Sequence, residues 1–179
     1  MGHESLKQKF FSLYESQSDA LFRFVSFRVS DREAAKDIVQ EAFLKMWETL
    51  SLRQDITNER AFLFRIASNL VIDRYRKAKE YSLDSLAEQG FDAPDDPGTP
   101  IEVRIDADQA LDRLQDIPEK FREAVWLRMV EEWSVKDMAE LFGETENAVS
   151  VRIHRGLKLW RKRINEDISK KSRPETSIE

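Results

Sequence analysis

Two stretches of this chain bring cations together with groups that stack or hydrogen-bond. Residues 60–80 hold six Lys/Arg against two acids, about +4, with Phe62, Phe64 and Tyr75 interleaved. Residues 144–163 again hold six Lys/Arg against two acids, about +4. Clustered cations hold phosphates and aromatic rings offer bases a stacking surface, so both stretches point towards nucleic acid. In the first, Arg65, Asn69, Asp73 and Arg76 recur at helical intervals and share one face, with Arg74 beside them. An Asn side chain donates and accepts at once, which suits the hydrogen-bonding edge of a base. The same spacing also suits a helix whose aromatics face a core.

Other chemistry finds little material. The chain has no cysteine and two histidines, so no disulfide framework, thiolate site or His-based metal centre is expected. Carboxylates are plentiful, but no phosphate-binding Gly loop or nucleophile elbow accompanies them. The expectation is a protein that is not an enzyme and uses no cofactor and no metal.

The second basic stretch needs an element to present it, and the residues before it supply one. Pro118 suits the first position of a helix. Phe121, Val125 and residues 127–130 continue that helix to about Glu131. Ser134 with Asp137 forms a capping box for a short helix over 135–142. Gly143 can take the positive φ of a tight turn, and Thr145 can cap the helix that follows. Ala139 is small where two helices would cross, and Val149 is apolar where the last one must pack back. This is the helix-turn-helix pattern, whose second helix enters the major groove. Asn147, Ser150, Val151, Arg152, His154 and Arg155 are its candidate base or phosphate contacts. Lys158, Arg161 and Lys162 suit phosphates or solvent, and Trp160 and Ile164 are expected to pack inward. A plain helical hairpin would satisfy the same local signals.

The first stretch is reached through two earlier helices. Leu6, Phe10, Leu13, Leu21, Phe24 and Val25 have helical spacing, with a break expected near Gln17. Ser30-Asp31-Arg32-Glu33 reads as a capping box. After it, Ala35, Ile38, Val39, Ala42, Phe43, Met46 and Leu50 form an apolar stripe. Asp37, Gln40, Glu41, Leu44 and Glu48 lie on the other face, where Leu44 hints at a partner. A third helix runs from about Glu59 to Lys79, with Leu63, Ile66, Ala67 and Leu70 towards the core.

These elements make an all-α protein of two small helical domains. Of its 179 residues, 41% are hydrophobic and 35% charged, and glycine and proline are scarce, which favours helix. Residues 82–100, "SLDSLAEQGFDAPDDPGTP", hold five acids, no base and three of the five prolines, a linker composition. The domains are therefore expected at 1–80 and 108–168, with a flexible acidic linker at 81–107 and a frayed tail after residue 168. The net charge of −5 argues weakly against nucleic acid, but the distribution of charge matters more than its sum. The opening residues lack the apolar core of a secretory signal, and no apolar run nears the roughly 18 residues of a membrane span. A cytoplasmic protein without membrane insertion is expected.

Three segments then carry a resemblance. "DIVQEAFLKMW" (37–47), "RAFLFRIASNLVIDRYRK" (60–77) and "IPEKFREAVWLRMVEEWSVKDMAELFGETENAVSVRIHRGLK" (117–158) resemble bacterial sigma factors of the extracytoplasmic-function (ECF) group. That group keeps only the second and fourth sigma domains. The resemblance implies partners: core RNA polymerase, through the clamp helices of its largest subunit and the flap, promoter DNA, and an anti-sigma factor. It implies that Asp37, Gln40 and Glu41, with Leu44, dock on the clamp helices. It implies that the helix bearing Arg65, Asn69, Asp73, Arg74 and Arg76 reads the unpaired minus-ten strand, with Asn69 on a flipped base. Residues 51–59 resemble the loop of the flipped-base pocket. The final helix resembles the reader of the minus-thirty-five duplex, and the linker the segment threaded towards the active centre.

The chain also departs from the family pattern. Phe62 stands where Trp is frequent, and Ser150 where a basic residue is frequent. Gly156 replaces a usual Ala, which by propensity costs a helix interior about 1 kcal/mol. A conventional helix-turn-helix regulator, binding duplex DNA without polymerase, is the alternative. It would need neither the acidic face near Asp37 nor the basic-aromatic helix near Asn69.

Overall fold

The computed structural model describes residues 3–52, 56–84 and 111–171, with side chains within 4–77 and 111–165. Among them are six α-helices, a short 3-10 helix and no strand, so the all-α expectation holds. The helices are α1 (His3–Ser26), α2 (Arg32–Ser51), α3 (Glu59–Asp84), α4 (Glu119–Met129), α5 (Val135–Phe142) and α6 (Glu146–Lys171), with the 3-10 turn Arg113–Asp116 before α4. The chain divides into two compact units, one holding α1–α3, the other holding α4, most of α5, and α6.

In the first unit α1, α2 and α3 pack on one another in all three pairs. Helix α1 runs unbroken through Gln17, against expectation. The apparent gap between Leu13 and Leu21 is bridged by half-buried Gln17 and buried Ala20 on the same face. The Ser16 hydroxyl donates to Ser12 O at 2.7 Å, satisfying itself within the helix, and no Gly or Pro interrupts the turn. The α2 cap is Asp31, one residue later than the Ser30 box suggested; its carboxylate accepts from the N–H groups of Glu33 and Ala34 at 3.0 and 3.3 Å. The α2 stripe is buried as expected at Ala35, Ile38, Ala42, Phe43, Met46 and Leu50, while Val39 is half-buried. Phe10 closes α1 on α2 edge-on, its ring 5.1 Å from Trp47.

Asn58 caps α3, its Oδ1 accepting from the N–H of Ala61 at 3.0 Å. The buried line of α3 is Ala61, Leu63, Phe64, Ala67 and Val71; Ile66 and Leu70, expected inside, are half-buried. The line is rotated because Phe64 turns inward onto Phe24, ring centroids 5.2 Å apart, with both rings fully buried. Phe64 therefore belongs to the core and offers no stacking surface. Helix α3 continues to Asp84, beyond the expected end near Lys79 and into the segment expected as linker. The rest of that linker, residues 53–55 of the expected pocket loop, and the tail from residue 172 lie outside the described residues.

In the second unit α4 packs on α6, and the 3-10 turn packs on both. Arg122 holds that turn: its guanidinium donates to Gln115 Oε1 at 2.6 Å, Gln115 O at 3.0 Å and Ile117 O at 3.2 Å. Pro118 precedes the first helical residue and acts as the N-cap of α4. Helix α4 stops at Met129 rather than Glu131. Glu132 adopts a left-handed φ of 53°, and the N–H of Trp133 returns to Leu127 O at 2.9 Å. Trp133, Leu114, Leu127, Met138 and Val149 are buried. Helix α6 runs through Lys171, past the expected fraying point.

Gly156 acquires a structural reason. A Cβ there would lie 2.6 Å from Val125 Cγ2 and 3.1 Å from the backbone oxygen of Phe121. Helices α4 and α6 approach so closely at this point that an added Cβ would force Val125 or the Phe121 backbone to shift. Read from propensity alone, Gly156 was a weakness of the helix; in the fold it is the residue that lets the two helices touch.

Candidate nucleic-acid interface

Local chemistry builds the helix-turn-helix. Ser134 Oγ accepts from the N–H of Asp137 at 3.0 Å and donates to its carboxylate at 2.6 Å, which starts α5. Gly143 ends it with a φ of 66°, a conformation that costs a glycine little, and the N–H of Glu144 returns to Ala139 O at 3.0 Å. Thr145 Oγ1 accepts from the N–H of Ala148 at 3.2 Å and caps α6. Val149, Ile153 and Gly156 are then the buried side of α6.

The opposite side is defined by the same period. Asn147, Ser150, Val151, His154, Arg155 and Lys158 are all exposed and recur at three- and four-residue steps. They form a face that can bond bases and phosphates. Ser150 is exposed and its hydroxyl donates to Glu146 O at 2.9 Å. Arg152 stands apart: it is half-buried and forms an ion pair with Glu144.

On α3, Arg65, Asn69, Asp73, Arg74 and Arg76 are exposed, as the face expectation required. The cations here are moderated by acids. Arg76 pairs with Asp73 at 3.4 Å and Arg74 approaches Asp31 at 3.9 Å. Tyr75 keeps an exposed ring while its hydroxyl donates to Arg28 O, which fixes the ring's position. Arg28 in turn donates to Ser68 Oγ at 2.7 Å, tying the end of α1 to α3. Ile72, 54% exposed and three residues from Asn69, was missed from sequence. The step of three from Asn69 was the available signal, but an apolar residue was read as neutral to a polar face.

On α2, Asp37, Gln40, Glu41 and Leu44 are exposed together, opposite the buried stripe. Leu44 is 57% exposed, an apolar side chain set among acids. Glu41 is paired with Lys45 at 3.4 Å, a surface pair of small energy. The face can receive a partner carrying cations around an apolar contact. The described residues contain no cluster of acids and histidines that could hold a metal ion, and no described helix is long and apolar enough to cross a membrane.

Comparison with known proteins locates these faces within families. The Sigma-70 region 2 family matches residues 13–81, and the Sigma-70 region 4 family matches residues 107–159. The ECF RNA polymerase sigma factor SigL of Mycobacterium tuberculosis is 27% identical over 158 residues, covering 87% of this chain and 88% of SigL. SigW of Bacillus subtilis, another ECF RNA polymerase sigma factor, is 26% identical over 170 residues, covering 88% and 89%. Among solved structures, the sigma factor RpoE bound to the anti-sigma factor NepR from Bartonella quintana superposes with a TM-score of 0.70 over 88% of this chain and 98% of RpoE, at 21% identity. CnrH, in complex with the cytosolic domain of CnrY, gives 0.63 over 90% of each chain at 23% identity. These two structures share the fold.

Proposed function

The chain belongs to the ECF sigma factors, which bind RNA polymerase and direct promoter-specific initiation without catalysing a reaction, and on that premise we propose how its three exposed faces divide the work. Residues 1–80, with α3 running on to Asp84, act as sigma domain 2 and residues 108–168 as sigma domain 4, joined by the acidic segment between them. The α2 face of Asp37, Gln40, Glu41 and Leu44 docks on the clamp helices of the largest polymerase subunit, and domain 4 meets the flap. The α3 face reads the melted minus-ten strand, with Asn69 on an extruded base and Arg65, Asp73, Arg74 and Arg76 around it. The α6 face enters the major groove of the minus-thirty-five duplex.

The observation that carries this reading is the α6 face. A capped helix-turn-helix presents Asn147, Ser150, Val151, His154, Arg155 and Lys158 on one exposed side while Val149, Ile153 and Gly156 anchor the other. That is the arrangement by which a recognition helix reaches base edges and flanking phosphates. The separate α3 face supports strand reading, because Asn69 can discriminate bases by hydrogen bonds while Arg65 and the partly paired Arg74 and Arg76 beside it meet phosphates. Extruding a base costs a few kcal/mol, which the pocket must recover. The family reading also includes an anti-sigma partner in the cytoplasm, the kind of protein that holds the Bartonella quintana sigma factor.

One experiment tests the division of labour. Holoenzyme is assembled from this chain and core polymerase on a promoter selected from a randomised library by run-off transcription. Asn69→Ala should lower permanganate reactivity of minus-ten thymines while leaving closed-duplex binding near wild type. Reversing Asp37 and Glu41 to Lys should weaken core association with the fold retained by circular dichroism. Equal thymine reactivity in Asn69→Ala would remove its base-reading role; unchanged core affinity would remove the docking role of α2.

A further inference from the structure

Arg152 sits in the middle of the α6 segment yet does not share its outward face. It lies three residues from Val149 and four from Gly156, both buried, so its Cα is at the margin of the packed side. Its guanidinium runs back along the helix to the carboxylate of Glu144, and the two side chains are only 20% and 32% exposed. Glu144 is itself held: it follows Gly143 in the turn, and its N–H donates to Ala139 O at 3.0 Å. It also stands just before the Thr145 cap, where the helix N-terminus favours a carboxylate.

We propose that Arg152 is a positioning residue of the DNA-reading unit, not a DNA contact. It neutralises Glu144 and ties the turn to α6, so that reading falls to Asn147, Ser150, Val151, His154, Arg155 and Lys158. This rests on the assignment of α6 as the reading helix. The electrostatic argument is direct. Were Arg152 to swing out to a phosphate, it would leave a carboxylate uncovered at the end of the helix that approaches the duplex. The cation gained there would be offset by an anion exposed beside the same phosphates. Paired, the two side chains present no net charge, and a charge-assisted bond fixes the turn geometry.

The test is a charge-neutral double replacement of nearly equal length. Holoenzyme carrying Arg152→Gln, Glu144→Gln/Arg152→Gln or Arg155→Ala is titrated with a duplex of the library-selected promoter at several salt concentrations. Arg152→Gln should weaken binding at least fivefold, because it uncovers Glu144. The double variant should recover to within about twofold of wild type, with an unchanged slope of log affinity against log salt. Arg155→Ala is the reference for a true contact, which lowers affinity and, if it touches a phosphate, reduces that slope by about one. Thermal melting of each free chain checks that the Gln variants fold. A double variant as weak as Arg152→Gln, or a single variant without effect while Arg155→Ala weakens binding, overturns the proposal. If Arg155→Ala also binds normally, the assignment of α6 beneath it falls instead.

Discussion

Helices α3 and α6 are each 26 residues long, and the basic blocks they carry hold the same numbers of cations and acids, yet the cations are placed differently. On α3 two cations are paired close to where they stand, Arg76 with Asp73 and Arg74 with Asp31, while Arg65 adds a further exposed cation. What remains outward is a mixed face with Asn69, Ile72 and the ring of Tyr75. On α6 one of the block's two acids, Glu144, is engaged at the margin by Arg152, and Arg155 and Lys158 stand exposed on the outward side. The difference teaches that local net charge does not measure readiness for DNA. A partly neutralised face with an exposed ring and an amide is suited to bases that have left the stack, whereas a more cationic face is suited to the phosphate-lined groove of a duplex.

The comparison can be broken at its cores first. Phe64→Ala should cost about 3–5 kcal/mol, since a fully buried ring against Phe24 is removed and a cavity left. Urea unfolding measures this. A loss confined to strand opening, with stability intact, would mean that Phe64 stacks on DNA after all. On the other helix, Gly156→Ala sets overpacking of about 1–3 kcal/mol against a propensity gain of about 1 kcal/mol. The contacts at Val125 and at the Phe121 backbone predict that packing wins, with a net loss of up to about 2 kcal/mol and a lower melting temperature. Stabilisation on this change would show that α4 and α6 can separate at little cost.

Two smaller effects sharpen it. Arg155→Ala should cost about 1–3 kcal/mol of duplex binding and relax preference at one base pair if it reads a base. Arg74→Ala should change chain stability by no more than about 0.5 kcal/mol, because an exposed pair with Asp31 at 3.9 Å contributes little. Titration with promoter variants and chemical unfolding, respectively, decide these. The N-caps should be alike in the two units: Asn58→Ala and Thr145→Ala should each lose about 1 kcal/mol in unfolding free energy. An Asn58 variant without loss would place the start of α3 under tertiary rather than local control.

Several elements were legible along the chain for reasons that are local. The α2 stripe is a period of 3.6 written in Ile38, Ala42, Phe43, Met46 and Leu50, and the helix must bury it. Ser134, Gly143 and Thr145 specify the helix-turn-helix because cap bonds and a positive φ span three or four residues at most. The outward set on α6 follows once Val149 is known to face inward. The break expected at Gln17 failed because a polar residue in an apolar line was read as an interruption, although Leu13, Ala20 and Leu21 on either side suffice to hold the helix.

By itself, then, the order of residues determined that this is an all-helical chain with a capped helix-turn-helix and two basic helical blocks, since caps, turns and periodicity act within one or two turns of chain. Tertiary structure decided which way Phe64 points, what a glycine at 156 relieves and what Arg152 holds. Phe24 lies forty residues from Phe64, and Val125 thirty-one from Gly156, so no local pattern brings them together. Arg152 and Glu144 are eight residues apart, just over two helical turns, a distance at which pairing depends on how the turn directs the side chains. Packing set the rotation of α3, because burying the Phe64 ring outweighs the small preferences of the chain around it.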